Sequence, residues 1–238
     1  MIATALPIRA ATFIALVFSA CSKPEPSPAS SVAGAPAAVV NSAPSATLTG
    51  GDSTGLLARA DRGRIRGDTT AKVWLVIVSD FQCPYCRQWH DESFATVVRD
   101  YVDTGKLRVA YVNFPLKIHP NAIPSAEAAM CASVQGRFWE MHDALFRTQS
   151  RWAAMPDPKP LFDSLATSLG ADAAPFKSCV ESTVMRQMID ADERRGSDAG
   201  VQATPTFFVG DEKIEGAVPL PDLRAALDRA LAKANGAR

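Results

Sequence analysis

Apolar runs and helical stripes divide residues 73–231 into predicted strands and helices. Residues 73–78 (VWLVIV) form a six-residue apolar run rich in branched side chains, too short for a core helix, which predicts a buried strand. Residues 107–114 (LRVAYVNF) predict a second strand. Between these strands, apolar residues recur at helical spacing: Cys86, Trp89, Phe94, Val97 and Tyr101. A strand, a helix and a strand in this order predict a right-handed unit with parallel strands.

The C-terminal part of the chain shows the pattern of a hairpin followed by a closing helix. Gly210-Asp211 separates an apolar run at residues 206–209 from a short segment around Ile214, which is typical of a hairpin. Residues 223–231 carry an apolar stripe at helical spacing, and several further helical stripes fill about residues 121–200. The pattern therefore predicts an α/β fold, in which a mostly helical insertion at about 121–200 interrupts a small sheet.

The N-terminus has the pattern of an export signal. Arg9 is the only charged side chain before an apolar stretch at residues 10–20, and Cys21 follows that stretch directly. Eleven residues are too few to span a bilayer, which takes about 20. The stretch resembles a bacterial lipoprotein signal, so residues 1–20 are predicted to be removed and Cys21 to be lipidated. The alternative is an ordinary signal peptide cut near Ala20.

Residues 21–60 are predicted to form a flexible tether. Residues 22–50 are rich in Pro, Ala and Ser and carry only Lys23 and Glu25 as charged groups, so they offer little apolar surface to offset the entropy of ordering. The tether would hold a folded domain at 61–238 away from a membrane. The basic side chains around its end are predicted to be solvated: Arg59, Arg62, Arg64 and Arg66.

Composition removes several classes of protein. The chain has 25 basic and 25 acidic residues, so no basic excess points to nucleic acid. Hydrophobic residues make up 47% and charged residues 21%, which is typical of a globular domain. Five cysteines in 238 residues do not make a disulfide-stapled miniprotein. A globular domain with one close cysteine pair remains.

That pair, Cys83-Pro84-Tyr85-Cys86, follows the first predicted strand and opens the helix. Unpaired N–H groups and the helix dipole at a helix N-terminus favour an anion, so Cys83 is the expected thiolate nucleophile. Pro84 suits the first helical turn. Cys86, one turn further on, is placed to attack a mixed disulfide that Cys83 forms with a substrate.

The cysteine pair has three other possible interpretations. A zinc site needs two further ligands, and no metal site is predicted because the remaining candidates do not occur at ligand spacing: Cys131, Cys179, His90, His119 and His142. Haem attachment is excluded because Arg87, not a histidine, follows Cys86. A purely structural disulfide across two residues would restrain little chain.

A second motif, Thr204-Pro205, lies just before the predicted strand at 206–209. Together the two motifs resemble the thioredoxin superfamily, and most closely its DsbA-like branch of envelope thiol–disulfide oxidoreductases. The resemblance runs from about residue 62 to 236. It implies a thioredoxin-like fold with an inserted helical subdomain and a cis Pro205. It also implies that Thr204 and Pro205, with Pro84 and Tyr85, bind substrate.

Two positions depart from the pattern of that branch. Ile77 stands six residues before Cys83, where members often carry a buried carboxylate, so proton transfer at Cys86 would fall to water or Asp80. Tyr85 stands where strong oxidases tend to have histidine. A neutral phenol stabilises a thiolate less than a polarised imidazole does, so the protein is predicted to be less oxidising than DsbA.

The remaining cysteines and histidines receive weaker assignments. In an oxidising compartment Cys131 and Cys179 are expected to form a disulfide, with two free thiols or a relay to the active site as alternatives. His119 is expected in a loop or at a helix cap, with a place near the active thiols as the alternative, and His90 is expected on the exposed side of the active-site helix. Trp139 and His142 are expected to pack within the insertion.

The sequence therefore predicts a protein disulfide oxidoreductase without a cofactor, lipid-anchored in the bacterial cell envelope, or periplasm. The resemblance implies exported cysteine-containing proteins as substrates and a DsbB-like or DsbD-like membrane redox partner. One alternative is an isomerase or reductase kept reduced by a membrane protein, although residues 22–60 are too short to supply the dimerisation domain of isomerases of the DsbG kind. The other alternative is a non-enzymatic metal chaperone or peptide-binding lipoprotein.

Overall fold

The computed structural model of the protein describes residues 53–236. The predicted signal at 1–20, Cys21 and the tether up to residue 52 lie outside the described residues. Within 53–236, no helix has both the length and the apolar character that crossing a membrane requires.

Five strands form one sheet across the described part of the chain. They are β1 (Ile65–Arg66), β2 (Val73–Ser79), β3 (Leu107–Asn113), β4 (Thr206–Val209) and β5 (Glu212–Glu215), in the order β1-β3-β2-β4-β5. β2 and β3 are parallel, as predicted, and every other neighbouring pair is antiparallel. The predicted hairpin joins β4 and β5 at Gly210 and Asp211.

The two central strands bury one face completely. Along β2 and β3, alternate residues face the main core, and the register places Ile77 opposite Tyr111 on β3 and Phe207 on β4. The same alternation places Ser79 on the face of Ile77, two residues further along the strand. This face carries the active-site helix.

Ten α-helices surround the sheet within residues 53–236. In chain order they are α1 (Ser53–Gly63), α2 (Pro84–Trp89), α3 (Ala95–Val97), α4 (Ala122–Val134), α5 (Phe138–Arg147), α6 (Gln149–Trp152), α7 (Lys159–Ser168), α8 (Ala173–Ser182), α9 (Arg186–Asp198) and α10 (Leu220–Gly236). Wider π-helical turns at His90–Phe94 and Val98–Val102 join α2 and α3 into one continuous helical segment.

Helices α4 to α9 form the insertion between β3 and β4. Helix α4 lies at its centre, buried on nearly all sides, and contacts α1, α5, α7, α8 and α9. A disulfide joins Cys131 on α4 to Cys179 on α8, with their Cα atoms 5.8 Å apart. The predicted α/β fold with a helical insertion is confirmed.

The predicted tether boundary at residue 60 is wrong. Helix α1 begins at Ser53, and its residues Leu56 and Leu57 pack against the core while Ala60 is fully buried. The Ser133 hydroxyl donates a hydrogen bond to the carbonyl oxygen of Ala60 at 2.6 Å. Three apolar residues in two turns are enough to hold α1 against the domain because they pack on the apolar surface next to α4.

The prediction that all four basic side chains near this boundary are solvated is also wrong for Arg64. Its guanidinium is 6% exposed and forms ion pairs with Asp61 at 2.6 Å and with the fully buried Asp192 on α9. The Asp192 carboxylate also accepts hydrogen bonds from the backbone and side-chain N–H groups of Asn113, both at 3.1 Å. A buried carboxylate needs such partners, so Arg64 ties the first helix to the end of β3.

Candidate active site

Cys83 lies immediately before α2, at the edge of the sheet where β2 ends. Its backbone is extended, with φ −67° and ψ 124°, and Pro84 is the first helical residue. The Cys83 N–H donates to the Asp80 carbonyl oxygen at 3.1 Å, and the Cys83 carbonyl oxygen accepts from Arg87 N–H at 3.2 Å. The chain therefore turns sharply from β2 into α2 and places the Cys83 sulfur at the helix N-terminus.

Cys83 carries the more acidic thiol of the pair. Its pKa falls from the usual 9.0 to about 6, chiefly because Cys86 donates a hydrogen bond to its sulfur. The Thr204 side chain and the backbone N–H groups of Cys86 and Tyr85 lower the pKa further, against the effect of burial. At neutral pH the reduced protein therefore holds a Cys83 thiolate.

Cys86 lies deeper, with 1% of its surface exposed. Burial is the main reason why the pKa of Cys86 lies well above the usual value, and the neighbouring Cys83 raises it further. The backbone of Asp80 and the Ser79 side chain act in the opposite direction. The two free thiols of the described chain thus differ strongly in acidity, although they are three residues apart.

The structure brings Thr204 and Pro205 against the Cys83 sulfur. The peptide bond between them is cis. The Thr204 carbonyl oxygen lies 3.4 Å from Cys83 Sγ, and the buried Thr204 side chain lowers the pKa of Cys83. The chain segment before β4 therefore forms one wall of the site, as the resemblance implied.

Tyr85 forms the exposed edge of the site. Its side chain is 63% exposed, whereas Cys83 beside it is only 3% exposed. Ile118, in the loop after β3, is the other strongly exposed large apolar residue in this part of the chain. Pro84 is exposed too. Thus Cys83 is reached from the side of the molecule that presents Pro84 and Tyr85.

Asp80, which is buried, and His119, which is half-buried, form a hydrogen-bonded pair next to the cysteines. The Asp80 carboxylate accepts hydrogen bonds from the N–H groups of Gln82 at 2.7 Å and Leu116 at 2.9 Å, and lies 2.6 Å from His119 Nδ1. Burial raises the pKa of Asp80 despite these three partners. His119 thus anchors the active-site loop, beyond the loop or cap role expected for it.

The insertion holds the turn before Cys83 in place. Gln149 Nε2, at the start of α6, donates to the carbonyl oxygens of Phe81 at 2.7 Å and Cys83 at 3.0 Å. Gln82 donates to Ala153 O at 2.7 Å and accepts from Asn121 N–H at 2.6 Å. The active site is therefore built jointly by the sheet domain and the insertion.

Contrary to prediction, His90 is largely buried. Its side chain is 11% exposed and stacks on Phe146 at 5.0 Å, and its Nε2 lies 3.1 Å from Asp143 Oδ1. His142 Nδ1 lies 2.9 Å from the same oxygen. Burial lowers the pKa of His142 to about 4, while hydrogen bonds from both histidines hold the pKa of Asp143 well below its usual range even though burial opposes them.

The positions of these three side chains also show that spacing along the sequence was not a sufficient reason to predict that there is no metal site. His90 is far in sequence from the adjacent His142 and Asp143, but the three side chains bring their ligand atoms within 4.8 Å of one another. Within residues 53–236, neither Cys83 nor Cys86 belongs to such a set of three. Both imidazoles lie at hydrogen-bond distance from one carboxylate oxygen of Asp143, so hydrogen bonds alone account for the arrangement of these three side chains. His142 packs among aromatic rings, as expected.

Comparison with known protein families shows to which family the chain belongs. Residues 59–229 match a family of proteins described as thioredoxin, which covers most of the described chain. The chain belongs to the thioredoxin family. The region matched includes the cysteine pair, the helical insertion and the Thr204–Pro205 bond.

Individual thioredoxin-family relatives carry different names. The chain is 35% identical over 176 residues to Na(+)/H(+) antiporter NhaA 3 of Salinispora tropica, matching 73% of this chain but only 26% of that protein. The chain thus spans about a quarter of the length of that antiporter. It is 21% identical over 172 residues to disulfide bond formation protein D of Bacillus subtilis, covering 70% of this chain and 76% of that protein.

A solved structure of the thioredoxin fold matches closely. Alpha-DsbA1 from Wolbachia pipientis superposes with a TM-score of 0.63 at 21% identity, covering 72% of this chain and 92% of that one. The predicted thioredoxin-like fold of the DsbA kind, with its helical insertion, is confirmed.

Proposed function

We propose that the protein is a thiol:disulfide oxidoreductase of the bacterial cell envelope, which forms or exchanges disulfide bonds in exported proteins. The observation that carries this proposal is the state of Cys83. Its thiol, with a pKa lowered to about 6, lies at a helix N-terminus, 3.4 Å from the Thr204 carbonyl oxygen. Exchange with another protein's disulfide requires a stabilised thiolate, next to backbone groups that can bind the substrate.

The exchange uses the two thiols in sequence. When the protein is reduced, the Cys83 thiolate attacks a substrate disulfide, forms a mixed disulfide and releases one substrate thiolate. Cys86 then loses its proton and attacks Cys83, which closes the Cys83–Cys86 disulfide and releases the second substrate thiolate. When the protein is oxidised, the same steps run backwards and the substrate gains the disulfide.

Substrate recognition is assigned to the residues around the Cys83 sulfur. The Thr204 backbone and Pro205 would hold an extended substrate segment, and Pro84 and the exposed Tyr85 would contact it. The name of the Bacillus subtilis relative, disulfide bond formation protein D, supports this chemistry. The antiporter name belongs to proteins of which this chain spans a quarter, so we take no transport activity from it.

A metal chaperone would hold its ion through the same two thiols. Exchange chemistry requires one stabilised thiolate beside one protonated thiol, which Cys83 and Cys86 provide. The acidity difference therefore favours an enzyme over the non-enzymatic alternative.

We further propose that residues 1–20 are a lipoprotein signal, that Cys21 carries the lipid, and that a DsbB-like or DsbD-like membrane protein recycles the thiol pair. The redox state of Cys83 and Cys86 in intact cells determines the direction. A mostly oxidised pair indicates an oxidase, and a mostly reduced pair indicates an isomerase or reductase. Thiol trapping followed by gel-shift measures this state.

Substitution of each cysteine tests the exchange mechanism. Cys83→Ser is expected to abolish oxidation and reduction of a model protein disulfide, because the nucleophile is lost. Cys86→Ser is expected to accumulate mixed disulfides with the substrate, because nothing resolves them. Turnover is measured with a reduced, unfolded substrate protein, and the mixed disulfide by mass spectrometry under non-reducing conditions.

The control is the double variant Cys131→Ser/Cys179→Ser, which removes the other two described cysteines. It is expected to retain exchange, since that disulfide lies inside the insertion. Loss of turnover in a folded double variant would support the relay alternative. Turnover retained by Cys83→Ser would refute the proposed function.

A further inference from the structure

Tyr111 carries a buried hydroxyl that has no hydrogen-bond partner among the described residues. The residue is 1% exposed, and its ring is held firmly by stacking on Phe81 at 4.8 Å and by an edge contact with His142 at 5.3 Å. An unpaired buried hydroxyl costs free energy of folding, because it has lost water and gained nothing in return. A phenylalanine would fill the same place without that cost.

The hydroxyl lies on the face of the sheet that carries the cysteines. Tyr111 on β3 is opposite Ile77 on β2, and Ser79 is two residues further along β2 on the same face. Ile77 itself offers no polar atom. Tyr111 and Ser79 are therefore the hydroxyl-bearing side chains that this part of the sheet presents towards α2.

The packing brings both hydroxyls to the side of the sheet on which the Cys86 sulfur is buried, because Ile77, Tyr111 and Cys86 belong to one cluster of core side chains. Burial raises the pKa of Tyr111 well above its usual value, and a charge on Cys86 raises it further. The Ser79 side chain lowers the pKa of Cys86. The phenol therefore stays protonated and keeps a proton to donate, on the side of a sulfur that also lies near the Asp80 backbone.

Thiol–disulfide exchange creates a charge at that sulfur. When a substrate thiolate attacks Cys83 in the oxidised protein, a new S–S bond joins substrate and Cys83. The Cys83–Cys86 bond breaks, and its electron pair leaves on Cys86 as a buried thiolate, which then takes a proton from water. A less basic leaving thiolate departs faster, so donors aimed at Cys86 accelerate this step.

We propose that the Tyr111 hydroxyl, together with that of Ser79, donates a hydrogen bond to the Cys86 sulfur when this sulfur becomes negatively charged. Tyr111 is thus a positioning and stabilising residue of the exchange reaction, and the inference rests on the proposed function. Its unpaired state in the reduced protein is explained because the charge it serves is present only during exchange.

The other titratable groups around the Cys86 sulfur do not supply this hydrogen bond. Both oxygens of the Asp80 carboxylate are bonded, to Gln82 on one side and to Leu116 and His119 on the other. His142, against the Tyr111 ring, is neutral above its pKa of about 4. Cys83 is the sulfur under attack. The hydroxyls of Tyr111 and Ser79 are the side-chain donors that remain for Cys86.

The test compares Tyr111→Phe with Tyr101→Phe in the full-length oxidised protein. Tyr101 is a matched control, since it is also buried but donates its hydroxyl to Asp228 on α10. The rate at which dithiothreitol opens the Cys83–Cys86 disulfide is followed by stopped-flow fluorescence. Tyr111→Phe is expected to slow it about tenfold, the size of one hydrogen bond to a charged group, and Tyr101→Phe to leave it unchanged.

A second readout separates this role from a structural one. In a Cys83→Ser background, Cys86 is the free thiol of the pair and has no disulfide to attack, and its alkylation rate is measured against pH. In Tyr111→Phe the midpoint is expected to move to higher pH, because the thiolate loses a donor. Thermal stability is expected to stay equal or rise, because an unpaired hydroxyl has been removed. Ser79→Ala is expected to shift rate and midpoint in the same directions.

The outcomes are distinguishable. If the wild-type protein exchanges no disulfides, the proposed function falls and this inference falls with it. If wild type exchanges but Tyr111→Phe matches Tyr101→Phe in rate and midpoint, the inference is overturned and the function stands. A slower rate with an unmoved midpoint and lower stability also overturns it. Should Tyr111→Phe fail to fold, the Ser79→Ala midpoint decides.

Discussion

Cys83 and Cys86 have identical side chains, yet their surroundings shift their acidities in opposite directions. Cys83 sits among donors: the Cys86 thiol, the Thr204 side chain and two backbone N–H groups. Cys86 is buried beneath it, and burial disfavours a thiolate there. A shared proton therefore stays on Cys86, which keeps Cys83 reactive.

The buried Thr204 hydroxyl offers a test of how Cys83 is activated. Thr204→Val keeps the shape of the side chain and removes the hydroxyl that lowers the pKa of Cys83. We expect the pH midpoint of Cys83 alkylation by iodoacetamide to lie near 6 in the reduced wild-type protein. In the variant it should move upward, so that alkylation at pH 6 slows several-fold.

Thr148→Val is the matched control, because its hydroxyl donates to Ala144 within the insertion. It should leave the midpoint in place. If Thr204→Val also leaves it in place, the hydroxyl does not contribute to the acidity of Cys83, and the effect comes from Cys86 and the backbone alone.

Residues that act through short motifs were predictable, and residues that act through register were not. Cys83 and Pro205 were found because each lies in a motif next to a predicted strand. Tyr111 reaches the site only because β3 pairs with β2 in one particular register. His119 and Gln149 reach it through loops whose paths depend on how the insertion packs. No local pattern in the sequence encodes those paths.

At the scale of elements, hydrophobic pattern predicted the strands β2 to β5 but missed the two-residue strand β1 and the first helix. β2 and β3 were predictable because a continuous apolar run has one stable place, the middle of a sheet. Helix α1 follows a stretch rich in Pro, Ala and Ser, and it shows only a few apolar positions. Its stability comes from α4, since an isolated helix of eleven residues is marginal in water.

The close approach of α1 and α4 depends on Gly63. A Cβ atom at this position would lie 2.2 Å from Ser133 Oγ and 2.8 Å from the Ser133 carbonyl oxygen, so the helices would have to separate. We expect Gly63→Ala to reduce the free energy of unfolding by about 1–3 kcal/mol. Urea denaturation followed by circular dichroism measures this change.

Gly236→Ala provides the matched control at another helix end. No atom lies within 4 Å of a Cβ built there, so this substitution should cause no loss. Equal stability of the two variants would show that α1 can move away from α4 without cost. In that case the folded domain would begin after α1, closer to the boundary that the sequence predicted.

At the scale of the whole molecule, an aromatic cluster joins the sheet to the insertion. Phe81 and Tyr111 come from the sheet side, Phe138 and Phe146 from α5, and His142 lies between them. The same residues line the back of the active site. Packing of the insertion and geometry of the site are therefore coupled through one buried imidazole.

That imidazole makes stability depend on pH in a defined window. The pKa of His142 is about 4 in the folded protein and about 6.5 when exposed, so between these values the unfolded chain binds a proton that the folded chain does not. The contribution of His142 to the free energy of unfolding is therefore complete above pH 6.5 and is lost as the pH falls towards 4. The slope is up to about 1.4 kcal/mol per pH unit. Asp143, with a lowered pKa, loses its contribution only below about pH 4.

His142→Gln should remove this window. We expect the variant to be less stable than wild type at pH 7, because aromatic contacts are lost, yet to lose less stability between pH 6.5 and 4.5. Urea denaturation across pH 4.5–8 measures both curves, using oxidised protein so that Cys83 and Cys86 do not titrate. Above pH 6.5 the curves should run parallel, since His142 is neutral in both states there. Equal losses in wild type and variant on acidification would mean that His142 is not held neutral by its aromatic surroundings, and that the insertion packs against the sheet more loosely than the structure indicates.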